Sequence, residues 1–311
     1  MTGIAGIEEK LQQGQIVLLD GATGTELEKR GVPMNSKAWS AEAIITHPDT
    51  IQAVHEDYIR AGVDIITVNS FSTARHMLLP AGLAEQFRHL NLEAVNLAIR
   101  ARETAASTPV AIAGSISPTT FSSDPTKCYP PLTEAYAWYA EQAELLAGSG
   151  VDILLIEMIG DIEQSTLAVK AACSTGLPVW LGFSCRRSDA GEIMLWDRGQ
   201  TLEEGVDAIS RIGGSAAFIM HTEVADTSEA FTILKTRWHG TLGVYAHSGH
   251  FVMPNWKFND VISPAAYARE AGGWIRSGAR IIGGCCGIGP AHISELKKQY
   301  CGIMIEKKSQ E

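Results

Sequence analysis

Cysteine is scarce in this chain, with six residues in 311, at positions 128, 173, 185, 285, 286 and 301. Their sparse, irregular spacing excludes a disulfide framework, so reduced thiols are expected. Positive charge is also short. Lys and Arg number 25 against 35 Asp and Glu, the formal charge is −10, and no Lys/Arg stripe interrupts the acidic balance, which argues against a nucleic-acid surface. Apolar runs are short too: none approaches the roughly 18 residues of a membrane span. The first segment, Met1 to Gln15, carries Glu8, Glu9 and Lys10 where a signal peptide needs an apolar centre. The expectation is a cytoplasmic protein with neither a membrane nor a nucleic acid as partner.

What is present is a large hydrophobic fraction, 45% against 19% charged, with no visible linker. Such a chain suits one large α/β domain spanning residues 1–311, whose last stretch, from about 303 to 311, is a polar C-terminal tail. Eight short, almost continuously apolar runs recur: Ile16 to Leu19, Asp64 to Val68, Val110 to Ala113, Asp152 to Ile156, Val179 to Phe183, Ala216 to Met220, Thr241 to Tyr245 and Ala279 to Ile282. Burial on both faces explains why they do not alternate. Amphipathic segments such as Pro48 to Ala61, Glu85 to Ala106 and Thr133 to Ser149 lie between them. Eight strand–helix alternations predict a single-domain (β/α)8 TIM barrel, because a doubly wound sheet usually stops earlier.

Active sites in that fold sit where strands end and βα-loops begin. The residues following the runs are Asp20-Gly21, Asn69-Ser70-Phe71, Gly114-Ser115, Glu157-Met158, Ser184-Cys185, His221-Thr222, His247-Ser248-Gly249 and Cys285-Cys286. Polar and metal-capable side chains therefore converge on one face. Gly283-Gly284-Cys285-Cys286-Gly287 is the densest of these stretches. Two adjacent thiols among glycines can donate two thiolates to one soft metal ion. They can also be small buried thiols in a packed turn, or part of a glycine-rich phosphate cradle. A redox pair fits less well, because redox motifs separate their thiols by two residues.

Leu19-Asp20-Gly21-Ala22-Thr23-Gly24-Thr25-Glu26-Leu27 opens a longer series of matches. Val54 to Asp64, Thr67 to Phe71, Ala113 to Ile116, Asp152 to Glu157 and Gly283 to Gly287 follow in order. In order and spacing together, the chain resembles the homocysteine S-methyltransferase family, the zinc-dependent barrels that include betaine- and S-methylmethionine-homocysteine methyltransferases. The resemblance implies an S-methyltransferase with Zn2+ as cofactor. Its substrates would be small molecules: a sulfonium or quaternary ammonium donor, and a metal-bound thiol acceptor, homocysteine in the first place, which becomes methionine.

The resemblance also assigns residues. Cys285 and Cys286 would be zinc ligands, and His221 stands where the family pattern Asn-Cys-Thr has its third cysteine. A Cys2His set is chemically ordinary for catalytic zinc. His247 replaces the asparagine of a Pro-Asn-Ser-Gly pattern and is an alternative ligand or a substrate contact. Cys185 is a further alternative that the pattern does not use. Glu157 would hold the acceptor's amino group; otherwise it pairs with an arginine at the barrel mouth. Asp20 and Gly21 would meet the acceptor's polar end, and Asp20 can also cap the following helix. Trp39 and Phe71 would attract the cationic donor through their ring faces, or simply pack. His55 matches the family but lies far from the strand ends, a structural position. Trp196, Trp256 and Trp274 receive no role.

Two departures, His221 and His247, keep other functions open: a different donor or acceptor, a non-catalytic ligand-binding barrel, or a subunit of a corrinoid methyl-transfer system. A second copy of the chain or a separate corrinoid protein would be the macromolecular partner.

Overall fold

The structure is a computed structural model that describes residues 3–34, 38–119, 129–252 and 257–301. Cys128, Trp256 and the polar tail lie outside the described residues. All eight apolar runs become parallel strands of one ring: Val17–Leu18 (β1), Ile65–Thr67 (β2), Ala111–Ile116 (β3), Ile153–Ile159 (β4), Val179–Arg187 (β5), Ala216–Glu223 (β7), Thr241–His247 (β8) and Ile281–Ile282 (β11). They pair in the order β1-β11-β8-β7-β5-β4-β3-β2. A parallel bridge between Leu19 and Ile65 brings β2 back to β1 and closes the ring. Helices such as Pro48–Ala61, Phe87–Ala105, Leu132–Ala147 and Pro264–Ser277 surround it.

The period-2 geometry of a strand divides each apolar run between two cores. Val17, Leu19, Ile65, Ala113, Leu155, Trp180, Phe218 and Ile281 fill the barrel interior. Their chain neighbours Leu18, Ile66, Ile112, Leu154, Leu181, Ile219 and Ile282 pack outward against the helices. Both faces are therefore buried, as the continuous runs predict.

Three elements go beyond the sequence reading. The helix Gly3–Gln12 (α1) buries Ile7 in the inner core, with Ile4 and Leu11 packed against it, and so plugs the N-terminal end of the barrel. Lys10 Nζ pins it there, 2.5 Å from Asp64 Oδ1, while Asp64 Oδ2 accepts the Leu18 N–H at 2.9 Å. Ile193–Leu195 (β6) folds back antiparallel on β5, pairing Leu195 with Cys185. His250–Val252 (β9) and Lys257–Asn259 (β10) form a small antiparallel pair after β8. Both additions lie on the C-terminal side of the barrel, next to the loops that carry the candidate residues.

Candidate metal and substrate site

At the ends of β4 and β7 the pairing register shifts, between Ile156 and Ile159 and between Met220 and Glu223. Strict alternation would place Glu157 and Met220 inside, and send Met158 and His221 outward with Ile156 and Ile219. Instead Met158 (φ 57°) and His221 (φ 41°) adopt left-handed backbones, and both line the pocket at the barrel mouth. The bulges thus turn two consecutive side chains inward on each strand. Trp39 (φ 44°) is a third pocket residue in this region. Such conformations cost on the order of 1–3 kcal/mol each outside glycine, and they concentrate at functional sites. The β7 bulge is tied to β5: Ser184 Oγ donates to the His221 carbonyl at 3.2 Å, and the Cys185 N–H donates to Thr222 Oγ1 at 3.0 Å.

The turn after β11 brings both cysteines to His221. Its backbone is held by the Cys285 N–H on the Ala246 carbonyl (2.9 Å) and by the Ser248 N–H on the Cys286 carbonyl (3.2 Å). Cys285 Sγ lies 3.5 Å from His221 Nδ1, Cys286 Sγ 3.8 Å from the same atom, and the two sulfurs are 3.9 Å apart. With Zn–S near about 2.3 Å and Zn–N near about 2.0 Å, a tetrahedral ion needs S–S edges of about 3.8 Å and S–N edges of about 3.5 Å. The triangle fits those edges. It is the one group of three or more His, Cys, Asp or Glu side chains with metal-binding spacing among the described residues. The Cys285 thiol is pushed well above its ordinary pKa, first by its contact with Cys286 and then by burial, with His221 opposing. A cation between them would reverse that balance.

Neither alternative ligand belongs to the triangle. Cys185 is fully buried in the outer core with Leu181 and Phe183, and burial raises its thiol to about 12. His247 stacks on His221 with ring centroids 4.6 Å apart, its Nε2 lies 2.9 Å from Glu223 Oε1, and its Nδ1 is buried without a partner. Trp196, to which the sequence assigns no role, is set by the β5–β6 hairpin edge-on to His221 (5.0 Å) and to His247 (6.4 Å). No local signal marks it, because its position depends on the antiparallel return of β6.

Across the same pocket lie Asp20 and Glu157. Asp20 is buried; Oδ2 accepts the Thr67 N–H at 2.6 Å and Oδ1 accepts Thr67 Oγ1 at 2.8 Å. Asp20 does not cap the helix Thr23–Lys29 (α2), whose N-cap position is Ala22 with no side-chain bond. Burial raises Asp20 to about 7, the nearby Glu157 adds to the rise, and Thr67 offsets part of it. Glu157 is likewise raised by burial; it accepts a short hydrogen bond from Ser115 Oγ, and His221 pulls it back down. No arginine or lysine pairs with either carboxyl among the described residues, so the expected alternative of a mouth ion pair is absent there. One buried and one half-buried carboxyl without a cation form a receptor for one.

Gly21 also lines the pocket, in a place where a side chain would collide with the Ile288 carbonyl, its Cβ 2.1 Å from that oxygen. Trp39 and Phe71 meet edge to face with centroids 5.9 Å apart and form an aromatic part of the lining. His55 is fully buried on Pro48–Ala61 with neither ring nitrogen bonded, and burial lowers it to about 4, a neutral side chain of the outer packing.

The comparisons with known proteins agree with this architecture. The sequence model described as homocysteine S-methyltransferase matches residues 17–300. The chain is 30% identical to the homocysteine S-methyltransferase of Escherichia coli K12, over 92% of this chain and 96% of that protein. It is 25% identical to betaine–homocysteine S-methyltransferase 1 of Bos taurus, over 94% of this chain and 74% of the relative. The metallated crystal form of the homocysteine methyltransferase MmuM from Escherichia coli superposes with a TM-score of 0.79 at 26% identity, covering 94% of this chain and 99% of that one. A closed (β/α)8 barrel, a match along nearly its whole length and a paired-cysteine site at the strand ends place this chain in the homocysteine S-methyltransferase family, as an S-methyltransferase.

Proposed function

We propose that this chain is a zinc-dependent methyltransferase that moves a methyl group from a sulfonium or quaternary ammonium donor to the thiol of homocysteine, yielding methionine. The observation that carries the reading is one pocket holding both a tetrahedral-edged His221–Cys285–Cys286 triangle and two carboxyls, Asp20 buried and Glu157 half-buried, that lack a cation. A thiol-bearing amino acid satisfies both, with sulfur toward the triangle and ammonium toward Glu157 and Asp20. A zinc ion held by His221, Cys285 and Cys286 supplies Lewis acidity that favours the substrate thiolate at neutral pH.

The chain's own contribution is placement. Glu157, fixed by Ser115, and Asp20, fixed by Thr67, anchor the acceptor at the end remote from sulfur. Trp39 and Phe71 offer aromatic surface to the donor's positive charge. Trp196 and His247 wall the triangle and shield it from water. Direct displacement between two oriented substrates needs no general acid, and alignment supplies most of the acceleration.

The test is zinc content by elemental mass spectrometry on reduced protein and on Cys285→Ala, with homocysteine methylation assayed from S-methylmethionine and from betaine. The expected result is about one zinc per chain, lost in the variant, and methionine formed from at least one donor. Absence of zinc from wild-type protein, or a fully metallated protein inert toward homocysteine with every donor, would overturn the proposal.

A further inference from the structure

We propose that Tyr245 is the third leg of a primary-ammonium receptor at the floor of this pocket: its oxygen accepts one N–H of the acceptor's ammonium while its own O–H turns to Glu157. The inference rests on the reading of the site given above, and it adds a specificity-determining residue to it.

Tyr245 stands in the inward-facing row of β8, 2% exposed, with its ring edge-on to Phe218 at 5.5 Å. Its hydroxyl is buried, and its interaction with the Glu157 carboxyl falls short of a hydrogen bond of ordinary geometry. The other buried tyrosines differ. Tyr58 donates to the Ala22 carbonyl at 3.0 Å, Tyr139 to Gln164 Oε1 at 2.8 Å, and Tyr267 to the Gly283 carbonyl at 2.7 Å. A buried polar group left alone carries an uncompensated desolvation penalty, so an orphan that lines a ligand pocket calls for a partner from the ligand. The fold reserves its place as well. A Cβ on Gly182 of β5 would lie 2.4 Å from the Tyr245 oxygen, so only glycine there leaves the hydroxyl room.

The groups around that hydroxyl decide which partner fits. Burial first, and then the charges of Glu157, Cys285 and Asp20, hold the phenol well above its ordinary pKa. The hydroxyl therefore stays neutral and keeps one donor and two acceptor sites. Glu157 is within reach of the O–H, which leaves the oxygen lone pairs for a donor. Among carboxyls, that donor is a cationic N–H. A primary ammonium carries three, and Glu157, Asp20 and Tyr245 supply three acceptors. A trimethylammonium has no N–H and gains nothing from Tyr245, so the tripod favours a ligand that bears a free primary amine.

The test is calorimetric binding of L-homocysteine and of 4-mercaptobutanoate, its analogue without the amino group, to the zinc-loaded wild type and to Tyr245→Phe. The variant deletes only the hydroxyl. Affinity for homocysteine is expected to fall about tenfold, the worth of one hydrogen bond to a charged group, with the analogue unaffected and the melting temperature unchanged or higher. A structural role would move both ligands alike, and that result, or homocysteine affinity indifferent to the variant, overturns the inference alone. Wild-type protein that does not bind homocysteine overturns the underlying reading of the site, and the inference with it.

Discussion

Asp20→Asn should make the protein more stable and less able to bind its acceptor. The wild-type carboxyl is raised from 3.8 to about 7, with burial as the largest cause. An acid with a raised folded-state pKa binds more protons folded than unfolded between those two values, so stability falls as pH climbs through that window and the loss is complete above about pH 7. A shift of roughly 3 units at about 1.4 kcal/mol per unit makes the full loss roughly 4 kcal/mol. Asparagine is nearly isosteric, can still accept the Thr67 N–H, and has no charge to desolvate. Its advantage over wild type should therefore widen by roughly 3 kcal/mol between pH 5 and pH 8. Urea unfolding of metal-free protein without ligand, at both pH values, measures this directly. Parallel profiles for the two proteins would show that Asp20 does not titrate in that window and would refute the argument. Homocysteine binding should weaken in the same variant, since a site kept for a cation is maintained at the expense of stability.

Further outcomes follow from the site. His221→Cys should keep one zinc and raise the methyl-transfer rate, because a third thiolate pushes more electron density toward the substrate sulfur; a slower enzyme with zinc retained would refute the charge argument. Trp39→Ala should raise KM for a cationic donor by roughly 5- to 30-fold, the range of a partly desolvated cation–π contact, while KM for the acceptor stays unchanged. Gly182→Ala places a Cβ 2.4 Å from the Tyr245 oxygen and 2.9 Å from Met220 Cγ. It should weaken homocysteine binding as Tyr245→Phe does and, unlike that variant, destabilise the fold by about 1–3 kcal/mol, measured by the same urea assay.

Barrel strands are legible in a sequence because they are short, apolar and evenly interrupted, and each of the eight runs from Ile16 to Ile282 became a strand of the ring. The converging ends were legible for the same reason, and so were Asp20 and Glu157, which follow their runs directly, and Cys285 and Cys286, two glycines beyond theirs. Which of two adjacent residues faces the pocket was not. A strand buried on both sides shows no polar alternation, so Cys185 reads as well for the mouth as for the outer core, where Leu181 and Phe183 in fact take it.

His221 shows the opposite case. Regular alternation would turn it outward, and only the bulge in β7, held by contacts from β5, aims it at the two thiols. Trp196 reaches the same place through a hairpin whose antiparallel return no local pattern announces. The barrel, its polar end and the chemistry on offer can be read from the chain, since these depend on residue type and short-range periodicity. The membership and spacing of the triangle, the lack of a cation beside the two carboxyls and the weakly bonded hydroxyl of Tyr245 come from long-range packing alone. Bulges, left-handed backbones and contacts between distant strands are set by the closure of the whole ring.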